Sequence, residues 1–412
     1  MPEELTPLPD SFWENWRDLS LGELGFQVTR HILGDSIPDE ELRALVHEAI
    51  NFAAPSHPLT DGISVLELFH GPTLAFKDFG ARFMARLMGY LTKDDGRDLT
   101  VLVATSGDTG GAVASAFYNV PGTRVIILYP EGGVSELQEK QLTTLGGNIT
   151  ALEINGTFDD CQRLVKAAFS DRELSEKLNL TSANSINISR LIPQSFYYFE
   201  AARSLPAGSL PTFIVPSGNF GNLTAGLLAH RLGLPIAGFV AATNSNDVVP
   251  RYLLDGAYQP RPSVATISNA MDVGAPSNFD RMVDLFARPA QPDAVTLTPE
   301  DALTQMSSLI TGLAYSDKAT RGAIREGSDK YSYAMCPHTA VAYLAAKDLP
   351  DIPHKVILST AHPSKFLPTM EEELGSGAIA VPERLACLSE LPKVSIKMNP
   401  DEEAFLVWLT TA

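Results

Sequence analysis

The sequence is poor in cysteine and in basic residues. Its 412 residues include Cys161, Cys336 and Cys387, which lie far apart and form no Cys-x-x-Cys pair. This pattern argues against a disulfide scaffold and a zinc site, so we expect reduced, buried thiols and no bound metal. Lysine and arginine total 31 against 49 aspartates and glutamates, a net charge of −18. Because nucleic acids and anionic membranes require a basic face, this balance argues against both partners.

Long apolar runs are also missing. No stretch approaches the roughly 20 residues of a membrane-spanning helix, and residues 1–4 contain neither a basic nor an apolar leader. There is no internal repeat and no low-complexity tract. Hydrophobic residues make up 44% of the chain, enough for a large core, and the length favours two globular units over one. We expect a cytoplasmic protein.

Strands and helices alternate in the second hundred residues. Residues 1–60 are predicted to be mainly helical, and residues 93–98 form a polar turn that we interpret as a domain crossing. Beyond it, buried strands are predicted at residues 100–104, 124–129 and 149–154, with helices predicted at residues 111–118, 135–145 and 157–169. This βαβαβα order predicts a parallel sheet, and ligands bind such sheets beyond the carboxyl ends of the strands.

Lys77 is predicted to lie at a corner between a strand at residues 65–69 and a helix. After it, apolar residues recur at helical spacing. Between Phe76 and Phe79, near the positive end of a helix, the ammonium form of Lys77 would be disfavoured. An amine that deprotonates readily forms a Schiff base with an aldehyde cofactor. The alternative is a first-turn lysine that extends to water.

A second strand, loop and helix are predicted over residues 212–232. Gly218 and Gly221 allow the loop at 216–222 to present backbone N–H groups at a helix N-terminus, which favours a phosphate site. An ordinary tight turn is the alternative. The P-loop pattern is absent, and the dinucleotide fingerprint lacks its first glycine.

Residues 182–194 are rich in small hydrogen-bonding side chains. If the chain is helical from Asn187, then Asn187, Arg190 and Gln194 share one face, and the arginine would hold an anionic group. A surface arginine or a structural ion pair is the alternative.

Two helix starts and one strand end can be predicted in the last third of the chain. Helices are predicted to begin at Thr298-Pro299 and at Cys336-Pro337, the latter running to residue 347. A strand from residue 356 ends in a polar loop at 359–363. His338 and His362 are candidate acid–base groups, although histidines beside proline are more often structural.

These segments, in this order, resemble the threonine synthase family, which belongs to the fold type II (tryptophan synthase β-like) enzymes that use pyridoxal 5'-phosphate. The resemblance runs from about residue 20 to the C-terminal region. It rests on HGPTLAFKDFG at 70–80, ATSGDTGGA at 104–112, GGNI at 146–149, SANSINISRL at 182–191, PSGNFGNLTAGLLA at 216–229, AATN at 241–244, SNAMDV at 268–273 and STAHPSKF at 359–366.

The resemblance implies an α/β fold in which a smaller parallel-sheet domain is inserted into a large α/β domain, with the cofactor in the cleft. We place the Schiff-base segment of the large domain at residues 1–97, the small domain at 98–175 and the remainder of the large domain at 176–412. Family members carry a few tens of residues that lead into a Gly-Leu-x-x-Pro segment. Met1-Pro2-Glu3 resembles the end of that segment, so we expect the sequence to start within the family pattern.

The resemblance also implies cofactor contacts. Lys77 would be the Schiff-base lysine, and Thr360 would face the pyridine nitrogen. The cofactor phosphate would be held by the loop residues Gly218, Asn219, Phe220, Gly221 and Asn222.

Substrate contacts are implied at two further segments. The loop Ser106, Gly107, Asp108 and Thr109 would take the substrate carboxylate and touch the cofactor's phenolic oxygen, and Asn187 with Arg190 would bind the substrate phosphate. Related enzymes commonly have Asn where this chain has Asp108. Because an anionic carboxylate cannot donate to a phenolate, Asp108 would be protonated, linked through water or turned away.

The implied reaction converts O-phospho-L-homoserine and water to L-threonine and phosphate. The enzyme alternatives are a phospholyase that adds no water and a threonine or serine dehydratase of the same fold. A non-catalytic phosphometabolite-binding protein is the alternative from another class, and the presence of Lys77 counts against it. We expect a small-molecule substrate and a monomer or homodimer.

Overall fold

The computed structural model describes residues 5–93, 96–184, 187–288 and 296–411. Met1-Pro2-Glu3 therefore lies outside the described residues, as do Asp94 and Asp95 of the predicted polar turn and Ser185-Ile186 of the 182–194 segment.

The strands, in chain order, are β1 (Ser56–Thr60), β2 (Ile63–Glu67), β3 (Leu99–Ala104), β4 (Thr123–Pro130), β5 (Ile149–Ile154), β6 (Leu180–Ser182), β7 (Thr212–Pro216), β8 (Gly238–Thr243), β9 (Ile310–Ala314), β10 (Lys355–Ser359) and β11 (Ile396–Met398). The α-helices are α1 (Asp10–Trp13), α2 (Leu21–Leu33), α3 (Asp39–Ala49), α4 (Lys77–Thr92), α5 (Asp108–Phe117), α6 (Glu136–Thr143), α7 (Phe158–Ser170), α8 (Arg172–Lys177), α9 (Ile192–Ser204), α10 (Gly221–Arg231), α11 (Val248–Asp255), α12 (Phe279–Ala287), α13 (Pro299–Leu309), α14 (Asp317–Tyr331), α15 (Pro337–Lys347), α16 (Leu367–Leu374), α17 (Glu383–Ser389) and α18 (Glu402–Thr411). Short 3₁₀ helices lie at Gly34–Ser36, Ile188–Arg190, Asn269–Met271 and Pro363–Phe366.

The first compact unit comprises Met1–Phe76 and Leu191–Ala380. Its sheet has the order β1-β2-β10-β7-β8-β9, in which β1 is antiparallel to β2 and the other neighbours are parallel. Strands β7 and β10 are buried along their whole length, as expected of strands covered on both faces. Because they run parallel, β2, β10, β7 and β8 bring the loops that follow them to one edge of the sheet.

The second compact unit comprises Lys77–Arg190 and Val381–Ala412. Its five strands are all parallel, in the order β11-β5-β4-β3-β6. The strands and helices predicted between residues 100 and 169 are confirmed, and helix α5 begins three residues earlier than expected. The predicted parallel sheet is therefore the core of this unit.

This second unit extends beyond the 98–175 segment that we predicted. Helix α4 packs on α5, β6 pairs with β3, and β11 pairs with β5. Phe405 and Leu409 of α18 are fully buried in the same apolar cluster as Leu164 of α7. Apolar burial between segments that are distant in sequence thus adds both flanks and the C-terminus to the unit.

Residues 1–60 are mainly helical, as predicted, through α1, α2 and α3, and end in β1, which pairs with β2. The prediction of buried thiols needs correction. Cys161 and Cys336 are buried, but Cys387 is exposed because it lies on the outer side of the short helix α17. Within the described residues, no helix is both long and apolar enough to cross a membrane.

Candidate active site

Lys77 is the first residue of helix α4, which confirms the predicted strand-to-helix corner. The strand before it ends at Glu67, two residues earlier than predicted. Lys77 is partly exposed, whereas Phe79 is fully buried. The lysine therefore begins a helix whose first turn is anchored in the core by Phe79.

The chain that leads into Lys77 is fixed by the loop after β10. The Phe76 N–H donates to the carbonyl oxygen of Thr360 at 2.9 Å, and the His362 N–H donates to that of Leu74 at 3.1 Å. The buried Lys365 donates from Nζ to the Thr73 carbonyl at 3.1 Å. These three bonds hold the backbone of residues 73–76.

The two candidate histidines occupy structural positions. His362 Nδ1 lies 2.8 Å from Ser364 Oγ and accepts the Ser364 N–H, so it caps the 3₁₀ helix Pro363–Phe366. His338 is buried in α15, with its ring edge-on to Phe366. These environments favour the structural interpretation that we gave as the alternative.

The loop between β7 and α10 presents backbone donors at a helix N-terminus. Phe220, which caps α10, has a left-handed φ of +60°. Within the described residues, the N–H groups of Gly218, Asn219, Phe220, Gly221 and Asn222 donate no hydrogen bond. Gly218 is required by close packing, since a Cβ there would lie 2.6 Å from Met271 Cα. Unbonded N–H groups at the start of a helix fit a phosphate.

The asparagine side chains of this loop are engaged within the protein. Asn219 Oδ1 accepts the Ser277 N–H at 2.7 Å, and the buried Asn278 donates from Nδ2 to the Asn219 carbonyl at 2.8 Å. Asn222 donates from Nδ2 to the Pro216 carbonyl at 2.8 Å. The backbone, shaped by these side chains, is therefore what remains for a ligand.

A buried polar network supports the same loop. Asn244, which follows β8, donates from Nδ2 to Thr266 Oγ1 and to Asp272 Oδ1, both at 2.8 Å. Burial raises the pKa of Asp272 to about 6, against the opposing effect of hydrogen bonds from Thr266 and Asn244. The segment that this network holds contains Met271, which touches Gly218. Sequence reasoning did not find this network, although three polar residues directly after a buried strand were its signal.

In the second unit, β3 leads into a tight turn before α5. Gly107 has a φ of +129°, and the N–H groups of Gly107 and Gly110 donate to Thr105 Oγ1 at 3.0 and 2.8 Å. Asp108 is buried at the first position of α5, and its Oδ1 accepts from Gln138 Nε2 at 3.0 Å. Ser106 and Thr109, by contrast, remain partly exposed.

The condition for a shared face of Asn187, Arg190 and Gln194 is not met, because the chain is not one helix from Asn187. A 3₁₀ helix at Ile188–Arg190 ends before α9, because Pro193 in the first turn of α9 has no N–H with which to continue a helix. Gln194 consequently lies on a different helix and in the other unit. Asn187 Oδ1 accepts the Ser189 N–H at 3.1 Å, which places Asn187 at the start of the 3₁₀ turn.

Arg190 is a buried cation. Its guanidinium donates to the Ala183 carbonyl. Burial lowers its pKa to about 10, with the Asp78 carboxylate opposing the shift. Arg190 therefore stays charged at neutral pH, and part of its charge is compensated within the unit.

Comparison with known proteins assigns the chain to a family. The family model described as "Pyridoxal-phosphate dependent enzyme" matches residues 56–360, so the protein is a fold type II pyridoxal-phosphate-dependent enzyme. A second model, "Threonine synthase, C-terminal", matches residues 339–406. The chain belongs to the threonine synthase family.

Individual relatives agree with this assignment. Threonine synthase from Serratia marcescens is 49% identical over 372 residues, which cover 90% of this chain and 82% of the relative. The crystal structure of the Escherichia coli threonine synthase matches with a TM-score of 0.92 and 43% identity, covering all of this chain and 92% of that one. A pyridoxal-phosphate-bound threonine synthase from Brucella melitensis matches at 35% identity and a TM-score of 0.90, over all of this chain and 92% of that one. The cofactor is pyridoxal 5'-phosphate, and the unbonded N–H groups at 218–222 suit its phosphate.

Proposed function

We propose that this enzyme converts O-phospho-L-homoserine and water to L-threonine and phosphate, the last step of threonine biosynthesis. The observation that carries the proposal is 49% identity to a threonine synthase over 90% of the chain. A substrate phosphate requires an anion site besides the cofactor's own, and the buried, charged Arg190 supports one in the second unit.

Three parts of the chain bind the cofactor in this proposal. The amine of Lys77 would hold its aldehyde group, the N–H groups of residues 218–222 would hold its phosphate, and Thr360 would lie by its pyridine nitrogen. When bound, the cofactor supplies a conjugated electron sink for a carbanion next to the amino group. A neutral hydroxyl at Thr360 would leave the ring nitrogen largely unprotonated. As a free amine, Lys77 takes the proton from the substrate α-carbon.

Two segments of the second unit bind substrate. The turn Ser106-Gly107-Asp108-Thr109 takes the substrate carboxylate, supported by the N-terminus of α5. Asn187 and Arg190 bind the substrate phosphate, and the positive charge of Arg190 favours departure of the anion. We further propose a cytoplasmic enzyme that acts as a monomer or homodimer.

The test is to incubate the purified holoenzyme with O-phosphohomoserine and to measure phosphate and amino-acid product together. Equal amounts of phosphate and threonine are expected. Phosphate with 2-oxobutyrate would instead establish the phospholyase alternative. If the enzyme releases neither phosphate nor an amino-acid product, the substrate assignment is overturned.

Lysine variants test the cofactor site. Lys77→Ala is expected to abolish the yellow colour and the turnover. Lys318→Ala, a change at an exposed lysine of α14, is expected to leave both intact. A coloured Lys77→Ala protein with normal turnover would overturn the role of Lys77.

A further inference from the structure

Gln138 is a buried polar residue outside the segments assigned above. It lies on α6, which follows β4, and has no exposed surface. A buried amide is costly unless both its oxygen and its nitrogen are hydrogen-bonded. Its two partners therefore indicate what this side chain does.

The first partner fixes the orientation of the amide. The backbone N–H of Ser135 lies 3.0 Å from Gln138 Oε1. Because a backbone N–H can only donate, the group facing it is the oxygen. The amide nitrogen consequently faces Asp108, where it donates to Oδ1 at 3.0 Å.

The bond from Gln138 also restricts where the second partner, Asp108, can carry a proton. Asp108 Oδ1 is an acceptor in this bond, so a proton on the Asp108 carboxyl is confined to Oδ2. A protonated Oδ2 can donate to an anionic oxygen, whereas an ionised carboxylate cannot. Gln138 thus determines which Asp108 oxygen can carry the proton.

Gln138 also packs on the turn before Asp108. A Cβ at Gly107, where φ is +129°, would lie 2.6 Å from Gln138 Cδ. One turn further along α6, Leu142 Cδ2 would lie 2.7 Å from a Cβ at Gly110. Helix α6 is therefore the surface against which the 105–110 turn is shaped.

We propose that Gln138 is a positioning residue, which orients the Asp108 carboxyl and the turn at 106–109 for contact with the cofactor's phenolic oxygen and the substrate carboxylate. The inference rests on the proposed function of that turn. It goes beyond that function by assigning a role to a residue of a different helix.

Gln138→Glu is the discriminating variant. Glutamate keeps an oxygen that accepts the Ser135 N–H, so the capping box of α6 is retained. The donor to Asp108 is replaced by an acidic oxygen, and the two carboxyls must then share a proton, which raises the pKa of the pair. The bound cofactor's visible absorbance is expected to change with pH at a midpoint displaced by about one unit. The KM for O-phosphohomoserine is expected to rise about tenfold, while the thermal midpoint stays near that of the wild type.

Two further proteins complete the experiment. Glu136→Gln, on the exposed first turn of α6, alters charge without touching Asp108 and is expected to leave the absorbance titration unchanged. If Gln138→Glu does not fold, the double variant with Asp108→Asn restores the N–H to oxygen pair with donor and acceptor exchanged, and is expected to fold. A double variant that also fails to fold overturns the proposal.

The outcomes separate this inference from the proposed reaction. If the absorbance titration and the KM of Gln138→Glu match those of the wild type, the positioning role of Gln138 is overturned. This holds even if the thermal midpoint of the variant falls. A displaced titration in Gln138→Glu, together with a wild-type enzyme that forms no threonine, supports the positioning role and refutes the reaction instead.

Discussion

Asn222 Nδ2 donates to the carbonyl oxygen of Pro216 at 2.8 Å, which ties the first turn of α10 to the last residue of β7. The backbone carbonyl of Asn222 in turn accepts from the buried Tyr198 hydroxyl of α9 at 2.7 Å. The side chain of Asn222 thus closes the loop, and its backbone carbonyl ties α10 to α9. Its side chain shapes the N–H row of residues 218–222, while its backbone belongs to that row.

Asn222→Ala is expected to weaken cofactor binding about five- to tenfold, because the loss of one buried hydrogen bond costs about 1 kcal/mol. The dissociation constant for pyridoxal phosphate, measured by fluorescence titration of the apoprotein, tests this. Asn155→Ala, which removes an exposed side chain, is the control. Equal dissociation constants for both variants would contradict the shaping role of Asn222.

Gly218→Ala is expected to be more severe. The new methyl group would lie 2.6 Å from Met271 Cα, and backbone cannot move aside as a flexible side chain can. Overpacking of this kind costs about 1–3 kcal/mol, so cofactor affinity is expected to fall by about tenfold or more. The free energy of unfolding and the cofactor dissociation constant should both be measured.

Gly322→Ala is the matched control for that change. Gly322 lies in the interior of α14 with open space around it. Alanine there is expected to stabilise the protein by about 0.5–1 kcal/mol and to leave cofactor affinity unchanged. An equal loss of affinity in both variants would show that the effect at Gly218 is not local.

The secondary structure was predictable where local pattern and burial agree. Helix α15 was predicted at its observed bounds, because Cys336-Pro337 marks its start and nearly every residue of the helix is buried. Strand β5 was predicted equally well. Strand β11 was not predicted, because its three residues are mostly exposed and become a strand only by pairing with β5.

The positions of the two candidate loops were predictable to the same extent. Sequence order predicts loops at residues 105–110 and 216–222, and the structure places turns there directly after β3 and β7. Their supports were missed, because Asn278 and Gln138 lie 59 and 30 residues from Asn219 and Asp108. Nothing in local sequence pairs such residues. The break before α9 lies at Pro193, which has no N–H with which to continue a helix.

Lys365→Met is expected to loosen the chain that leads into Lys77. The change removes a buried ammonium that donates to the Thr73 carbonyl. Loss of a charged donor to a buried carbonyl costs about 1–3 kcal/mol of the free energy of unfolding. Urea denaturation measures this loss, with Lys318→Met on the exposed face of α14 as the control. An unchanged or increased stability would show that Lys365 does not fix this segment.

The last prediction concerns Lys393, which attaches the C-terminal segment to the second unit. Its Nζ lies 2.7 Å from Glu139 Oε1 and 2.8 Å from Oε2 of the buried Glu153. Burial pushes the pKa of Glu153 up, but bonds from Lys393 and Ser395 outweigh it and hold the pKa below its ordinary 4.5. A carboxyl whose folded-state pKa is lowered stabilises the protein above its unfolded pKa, and this contribution is lost as pH falls through the folded value.

Lys393→Met leaves the Glu153 carboxylate buried without this cation. At pH 7 the free energy of unfolding is expected to fall by about 1–2 kcal/mol, less than for a fully buried pair because Lys393 is 33% exposed. Near pH 4 the loss is expected to shrink, because Glu153 without its cation takes up a proton. Urea denaturation at both pH values measures the difference, and adding Glu153→Gln is expected to recover most of the loss at pH 7. Lys347→Met, at a more exposed lysine whose Nζ lies 2.6 Å from Glu326 Oε2, is the control and should change stability little. A loss in Lys393→Met that is independent of pH would assign the effect to side-chain packing and refute the ion pair as its cause.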